Sequence, residues 1–292
     1  MYNIPSSEIR VRDPYIVPVR ETGKYYLFGT TDTDPWNEGE GFLVYESEDL
    51  EHWSEPKWAF LPPEGFWANQ NFWAPEVHHF NGYWYIFASF KAEGVCRGTQ
   101  ILRSESVTGP YAPISDGPVT PRDWECLDGT LHIDPAGKPH IVFCHEWLQI
   151  KDGTVCTMAL SDDLSAAISE PRTLWKATDY PFVRPVGKNK DSYVTDGPFL
   201  YRTRQGNLLC IWSTFESEGY AELICHSDNG ELSGNWQVSA EPLFRQNGGH
   251  GMIFRGSDGV LRFVMHRPNS PATMERPVIL ALKDANGSLT LE

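Results

Sequence analysis

Short runs of aromatic and β-branched residues recur five times along the chain, and each run follows a polar turn with a glycine. The runs cover residues 25–28, 83–87, 140–143, 208–212 and 261–265. Their turn glycines are Gly23, Gly82, Gly137, Gly206 and Gly259. Dipeptides such as Asn81-Gly82 and Asp258-Gly259 are typical of tight β-hairpins. The pattern therefore predicts five repeats, each opening with a hairpin.

A second polar turn, usually rich in serine and aspartate, follows each glycine after 21 to 24 residues. Helical periodicity is absent, and Pro171 breaks the best helical candidate. Five units of four strands predict an all-β fold, a single five-bladed β-propeller with four-stranded blades, as one domain over residues 1–292. A β-sandwich is the alternative, but it would not explain five matched turns.

Composition and charge narrow the classes of function. Hydrophobic residues make up 40% of the 292 residues, which excludes a disordered chain. The net charge of −15 would repel a nucleic acid, so neutral partners fit better. The chain has no run of 18 apolar residues, so the sequence predicts no membrane span. The start at Met1 lacks a signal-peptide pattern, and the six cysteines lack regular spacing, so we expect a cytoplasmic protein with reduced thiols. The oligomeric state is left open.

Chemistry-bearing residues lie nine or ten positions before each turn glycine, where the innermost strand of a blade begins. These five residues are Asp13, Trp73, Asp128, Asp196 and His250. Taken singly, an aspartate before proline or glycine is usually a turn residue. Taken together, three carboxylates at one mouth of the central channel indicate acid–base chemistry or a metal, because clustered carboxylates shift each other's pKa values.

The second strand of each blade returns to the same face, so its end supplies an outer ring of side chains. Glu146 is the main candidate there for acid–base chemistry. The alternative interpretation, a solvated glutamate at a strand end with no chemical role, has equal weight. Aromatic side chains stack on sugar faces, so we expect Trp36, Phe72, Trp73 and Trp147 to bind a sugar, with His145 beside them. Core packing between blades explains most of the 11 tryptophans.

These motifs together resemble glycoside hydrolase family 43. Residues 12–16 resemble the family's general-base motif around Asp13, and residues 72–77 resemble its second-blade signature. Asp128 matches the aspartate that orients the acid and tunes its pKa. His250 matches the axial histidine that holds a water shell or a calcium or sodium ion. The resemblance implies an enzyme that inverts the anomeric centre and needs no organic cofactor.

One departure from the family concerns the general acid. The family usually has Glu-Gly-Pro where this chain has Asp196-Gly197-Pro198. An aspartate is one methylene shorter, so either Asp196 serves with a shifted substrate or Glu146 takes the role. In an inverting enzyme the general base, assigned to Asp13, and the general acid stand about 6.5–9.5 Å from each other, which leaves room for a water.

The implied substrates are short plant-type oligosaccharides with α-L-arabinofuranosyl or β-D-xylosyl linkages. Because no leader sequence is visible, we expect imported oligosaccharides and exo-cleavage. The alternatives are an inactive carbohydrate-binding propeller, a scaffold for protein partners, and a fructosidase or glycoside phosphorylase on the same fold. A phosphorylase needs a cationic phosphate site, for which Arg267 with His266 is the candidate.

Overall fold

A computed structural model describes residues 2–32, 34–37 and 39–292. In it, five antiparallel sheets follow one another along the chain, each built from consecutive strands. The innermost strands of neighbouring sheets pack against one another around a ring, and the last sheet closes onto the first. The structure therefore confirms the predicted five-bladed β-propeller. Within the described residues, no helix is long and apolar enough to cross a membrane.

The first two blades are formed by the amino-terminal third of the chain. Blade 1 contains β1 (Tyr2–Pro5), β2 (Arg12–Val19), β3 (Lys24–Thr30), β4 (Phe42–Ser47), β5 (His52–Ser54) and β6 (Lys57–Phe60). Blade 2 contains β7 (Gln70–Phe80), β8 (Tyr83–Ala92), β9 (Val95–Ser104) and β10 (Ala112–Pro113). Blade 1 exceeds the predicted four strands because β1 pairs with β5, and β6 pairs with β4.

The other three blades have four strands each. Blade 3 contains β11 (Cys126–Ile133), β12 (Pro139–His145), β13 (Thr154–Ala159) and β14 (Arg172–Lys176), with a short helix α1 (Trp147–Ile150) after β12. Blade 4 contains β15 (Asp196–Arg202), β16 (Leu208–Glu216), β17 (Gly219–Ser227) and β18 (Trp236–Val238). Blade 5 contains β19 (Gly249–Arg255), β20 (Leu261–Arg267), β21 (Arg276–Ala285) and β22 (Ser288–Leu291). Short 3₁₀ turns cover Ser6–Glu8 and Ala177–Asp179.

The five aromatic runs lie on the strands next to the innermost ones, and the five turn glycines join each of these strands to the innermost strand of its blade. All five glycines have positive φ, between 70° and 90°. Tight hairpins need this left-handed conformation, which glycine adopts without steric cost. The turn chemistry read from the sequence thus sets the hairpin at the head of every blade.

A bulge near the start of every innermost strand aims side chains at the propeller axis. In each blade a residue at the bulge has φ between 48° and 55°, and the pairing with the neighbouring strand shifts around it; in blade 2, Asn71 has a similar φ of 50°. The bulge residues are Asp13, Ala74, Asp128, Gly197 and His250. Trp73 and Asp196 lie one position earlier, so the five residues chosen from the sequence are not fully equivalent. At Gly197, a Cβ atom would lie 2.6 Å from the His250 ring, which requires glycine.

Candidate active site

A cavity of about 660 Å³ opens where the bulged ends of the innermost strands meet. Residues from all five blades line it. Of the residues predicted from the sequence, the cavity contains Asp13, Trp36, Trp73, Asp128, Glu146, Trp147, Asp196 and His250. The structure therefore brings the three aspartates, the axial histidine and three of the four candidate sugar-stacking aromatic residues into one site.

Asp13 is held on both carboxylate oxygens. Its Oδ2 accepts a hydrogen bond of 2.8 Å from the Thr30 hydroxyl, and its Oδ1 lies 3.1 Å from His250 Nδ1. Burial by itself raises the pKa of Asp13, but the charges of His250 and Arg12 outweigh it and lower the pKa below its ordinary value. Asp13 is therefore an ionised carboxylate at neutral pH, as a general base must be.

Asp128 and Asp196 have the opposite electrostatic character. Burial, followed by the negative charge of Asp13, raises the pKa of Asp128 well above its ordinary value. Burial and the charge of Asp128 raise the pKa of Asp196 to about 7. The two residues are linked through the backbone, because Gly197 N–H donates to Asp128 Oδ2 at 2.9 Å. The site thus combines an ionised carboxylate with a carboxyl that retains a proton near neutral pH, a separation typical of acid–base pairs.

Glu146 has a different environment. Its carboxylate pairs with Arg97, and both side chains are buried. The Arg97 guanidinium also lies 4.3 Å from the centroid of the Trp73 ring and donates to Asn71 Oδ1 at 3.1 Å. Burial raises the pKa of Glu146, while the charge of Arg97 opposes that shift. An ion-paired carboxylate fixed beside an aromatic platform is suited to binding a sugar hydroxyl.

Three predicted substrate-binding residues do not line the cavity. Phe72 points to the opposite side of the strand from Trp73 and is fully buried in the aromatic core. Its ring centroid lies 4.9 Å from that of Phe90. His145 stacks at 4.1 Å on Trp124. Arg267 lies over Phe244, and its companion His266 is fully buried. The sequence predicted that Phe72, His145 and Arg267 contact substrate, but the structure places all three outside the set of residues that line the cavity.

The structure also adds residues that the sequence did not single out, and it gives His266 a role other than the predicted phosphate binding. Thr30 and Tyr220 each donate a hydrogen bond to one of the aspartates, at 2.8 Å. His266 accepts the backbone N–H of Asp13 on Nδ1, and its Nε2 bonds to Asn269. Burial lowers the pKa of His266 to about 3, so it is neutral. No sequence signal marks Thr30, Tyr220 or Asn269, because they reach the site from β3, from β17 and from the loop after β20.

A cation beside His250 stays a prediction. Among residues 2–32, 34–37 and 39–292, no group of three or more His, Cys, Asp or Glu side chains is arranged to hold a metal ion. The Nδ1 atom of His250 already contacts Asp13 at 3.1 Å. A calcium or sodium ion would therefore depend on Nε2 and water, and the protein side chains do not form a full ligand set.

Glu222 is a buried carboxyl that is hydrogen-bonded, directly and through Ser213, to the backbone around His250. Ser213 accepts the His250 N–H at 2.7 Å and donates its hydroxyl to Glu222 Oε2 at 2.7 Å, and Gly251 N–H also donates to that oxygen. The other oxygen, Oε1, is buried without a partner. Burial raises the pKa of Glu222 to about 8. The carboxylate form is thus unfavourable in the folded protein.

Replacing Glu222 with glutamine should stabilise the protein progressively as the pH rises. Because the folded pKa exceeds the ordinary value of 4.5, the contribution of Glu222 to stability is complete below pH 4.5 and is lost as the pH rises through about 8. Glu222→Gln keeps the shape and removes the titration. Thermal unfolding between pH 5 and pH 9 should show a midpoint difference that grows by a few degrees. A difference that does not vary with pH would contradict the assigned burial of the charge.

The fold and the cavity define a class of enzyme. A propeller that gathers an ionised carboxylate and a protonated carboxyl in an aromatic-rimmed cavity has the groups that a glycosidase needs. The chain belongs to family 43 of the glycosyl hydrolases, since the sequence profile described as "Glycosyl hydrolases family 43" matches residues 2–283. Its substrate is accordingly an oligosaccharide or polysaccharide.

Solved structures and a curated relative agree with this assignment. The endo-arabinase from Bacteroides thetaiotaomicron VPI-5482 is 37% identical, covers 99% of both chains and superposes with a TM-score of 0.92. An endo-1,4-beta-xylanase from the same organism, 23% identical with a TM-score of 0.78 over 97% of this chain and 94% of that one, shares the fold. The extracellular endo-α-(1→5)-L-arabinanase 1 of Bacillus subtilis (strain 168) is 26% identical over 151 residues. That match spans 48% of this chain and 45% of the relative.

Proposed function

We propose that this protein is an inverting endo-arabinanase that hydrolyses α-(1→5)-linked L-arabinofuranosyl chains at internal linkages. The observation that carries the proposal is the similarity to the Bacteroides endo-arabinase, which extends over 99% of both chains. The curated Bacillus subtilis relative is named for the same endo activity and specifies the α-(1→5) linkage. Exo-cleavage and xylosyl linkages, expected from the sequence, have less support than this alternative.

Three aspartates carry the proposed chemistry. Asp13 accepts a proton from a water as the water oxygen bonds to the anomeric carbon from the side opposite the leaving group. The glycosidic C–O bond breaks, and Asp196 gives its proton to the departing sugar oxygen. The lowered pKa of Asp13 and the raised pKa of Asp196, about 7, suit these opposite tasks. Asp128 keeps the acid protonated through its charge and orients it through the Gly197 backbone.

Glu146 binds sugar in this scheme and does not act as the acid. Its ion pair with Arg97 would be broken if the carboxyl had to cycle through a protonated state, which would leave a buried guanidinium unpaired. Two exposed apolar side chains from different blades lie at the cavity rim, Trp36 at 56% exposure and Leu148 at 59%. Apolar surface on two blades suits sugar units on both sides of the cleaved bond, which supports internal cleavage.

Water is a better acceptor than phosphate in this cavity. Its two arginines, Arg12 and Arg97, are already neutralised by Glu275 and Glu146. The candidate phosphate residue Arg267 does not line the cavity. A phosphorylase is therefore a weaker alternative than a hydrolase.

Product analysis on linear arabinan tests the proposal. Internal cleavage should release arabino-oligosaccharides of several sizes first, with free arabinose late, and NMR at early times should show the β-anomer as first product. Linear xylan should stay intact, and the Asp13→Asn protein should release nothing from either polymer. Free arabinose as the sole early product would indicate exo-cleavage, and an α-anomer as first product would exclude inversion. Degradation of xylan but not arabinan would show that the substrate is a xyloside.

A further inference from the structure

Tyr220 is the only described side chain that forms a hydrogen bond with the carboxylate of Asp196. Its hydroxyl donates to Asp196 Oδ2 at 2.8 Å. Tyr220 lies on β17, the third strand of blade 4, and is only 2% exposed. Because Oδ2 is occupied and Asp196 lines the cavity, Oδ1 is the oxygen left to face a leaving group. The hydrogen bond thus distinguishes the two oxygens of this carboxyl.

The Tyr220 ring is fixed on several sides. It stacks on His266 with 5.8 Å between ring centroids and packs edge-on against Phe215 at 5.1 Å. A Cβ atom at Gly249 would lie 3.0 Å from ring carbons of Tyr220 and 2.6 Å from Ser213 Oγ. The close approach of the ring to the blade 5 backbone therefore requires glycine at position 249. A ring held this way cannot move its hydroxyl without moving its neighbours.

The same ring connects the two sides of the proposed reaction. His266, on which Tyr220 stacks, accepts the backbone N–H of Asp13 at 3.2 Å. One rigid side chain consequently contacts the carboxyl of Asp196 directly and the backbone of Asp13 through a single intermediate. Since an aspartate reaches one C–C bond less far than a glutamate, the oxygen that carries the proton must point toward the leaving group to reach it.

We propose that Tyr220 is a positioning residue that holds Oδ2 of Asp196, so that Oδ1 carries the proton to the leaving sugar. This inference rests on the proposed role of Asp196 as general acid. Loss of the hydroxyl should leave sugar binding unchanged and slow only the step that needs a well-placed proton. Small misplacements of a reacting group lower rates by about 10–100-fold.

The variant Tyr220→Phe keeps the ring and removes the hydroxyl. We expect kcat on an arabino-oligosaccharide to fall about 10–100-fold with KM unchanged, and kcat on a 2-chloro-4-nitrophenyl arabino-oligoside to fall less than about 3-fold. Tyr201→Phe is the matched control, because Tyr201 lies on the same blade as Tyr220 and donates a similar hydrogen bond of 2.9 Å to Asp284 on blade 5, but does not line the cavity. It should retain wild-type rates on both substrates.

Asp196→Asn, measured on the same two substrates, separates the possible failures. If Asp196→Asn shows no dependence on the leaving group, the acid assignment fails and with it the proposed function of Asp196. If Asp196→Asn shows the dependence but Tyr220→Phe slows both substrates equally, or neither, the positioning role alone is overturned. Should Tyr220→Phe fold poorly, Phe215→Leu removes the edge-on contact that fixes the ring while keeping the hydroxyl. That variant should reproduce the selective loss, and unchanged selectivity there would also overturn the inference.

Discussion

Asp13→Asn should lower hydrolysis by about 10²–10⁴-fold on every substrate, whether the leaving group is a sugar or an aryl group. The reason is that water must be deprotonated in both cases, and Asp13 is the carboxylate with the lowered pKa in the cavity. The loss should appear in kcat, with KM little changed. Rates on an arabino-oligosaccharide and on its aryl counterpart are the measurement, and they should fall in parallel.

Asparagine is the right replacement because the backbone at position 13 is left-handed, with φ of 52°. Asparagine tolerates this conformation better than other non-glycine residues, and it retains a hydrogen-bond acceptor for Thr30. The thermal midpoint should therefore stay within a few degrees of wild type. Asp284→Asn is a matched control, since Asp284 also accepts a tyrosine hydroxyl but does not line the cavity. Normal turnover by Asp13→Asn would exclude Asp13 as the base.

The repeat made most of the fold predictable. Hairpin glycines and aromatic runs are local signals, and a fixed offset from each glycine located the starts of the innermost strands. That offset brought Asp13, Asp128 and His250 to the bulge position that they occupy in the structure. It located Trp73 and Asp196 only to within one residue, since the bulge residues of the five blades lie 10, 8, 9, 9 and 9 positions before their turn glycines. Local turn chemistry therefore predicts the inner ring of the site well.

The outer parts of the site were not predictable in the same way. Phe72 and Trp73 are adjacent aromatic residues, yet one is fully buried and the other lines the cavity. Pairing shifts on both sides of Trp73, and a shift of one residue exchanges the two faces of a strand. Tyr220 lies 24 residues from Asp196 in sequence and reaches it across blade 4. Such contacts depend on register and packing, which no single stretch of sequence encodes.

Electrostatics separates the two candidates for the general acid. Asp196 lines the cavity, and burial and Asp128 raise its pKa to about 7. Glu146 has the longer side chain, but its carboxylate is paired with Arg97. A general acid must hold a proton and release it to the leaving oxygen, and a partner cation opposes holding that proton. The electrostatic environment therefore favours Asp196 as the general acid.

Asp196→Asn should consequently slow hydrolysis of arabinan linkages by about 10²–10⁴-fold and have much less effect on an activated aryl glycoside, because an aryl leaving group departs without a full proton. Glu146→Gln should slow both substrates to a similar extent and raise KM, since it weakens sugar binding and the contact with Arg97. Comparing kcat and KM for both variants on both substrates measures the difference. Asp284→Asn again controls for loss of a carboxylate elsewhere on the propeller. If Glu146→Gln gives the leaving-group-dependent loss and Asp196→Asn slows both substrates alike, then Glu146 is the acid and Asp196 positions the sugar.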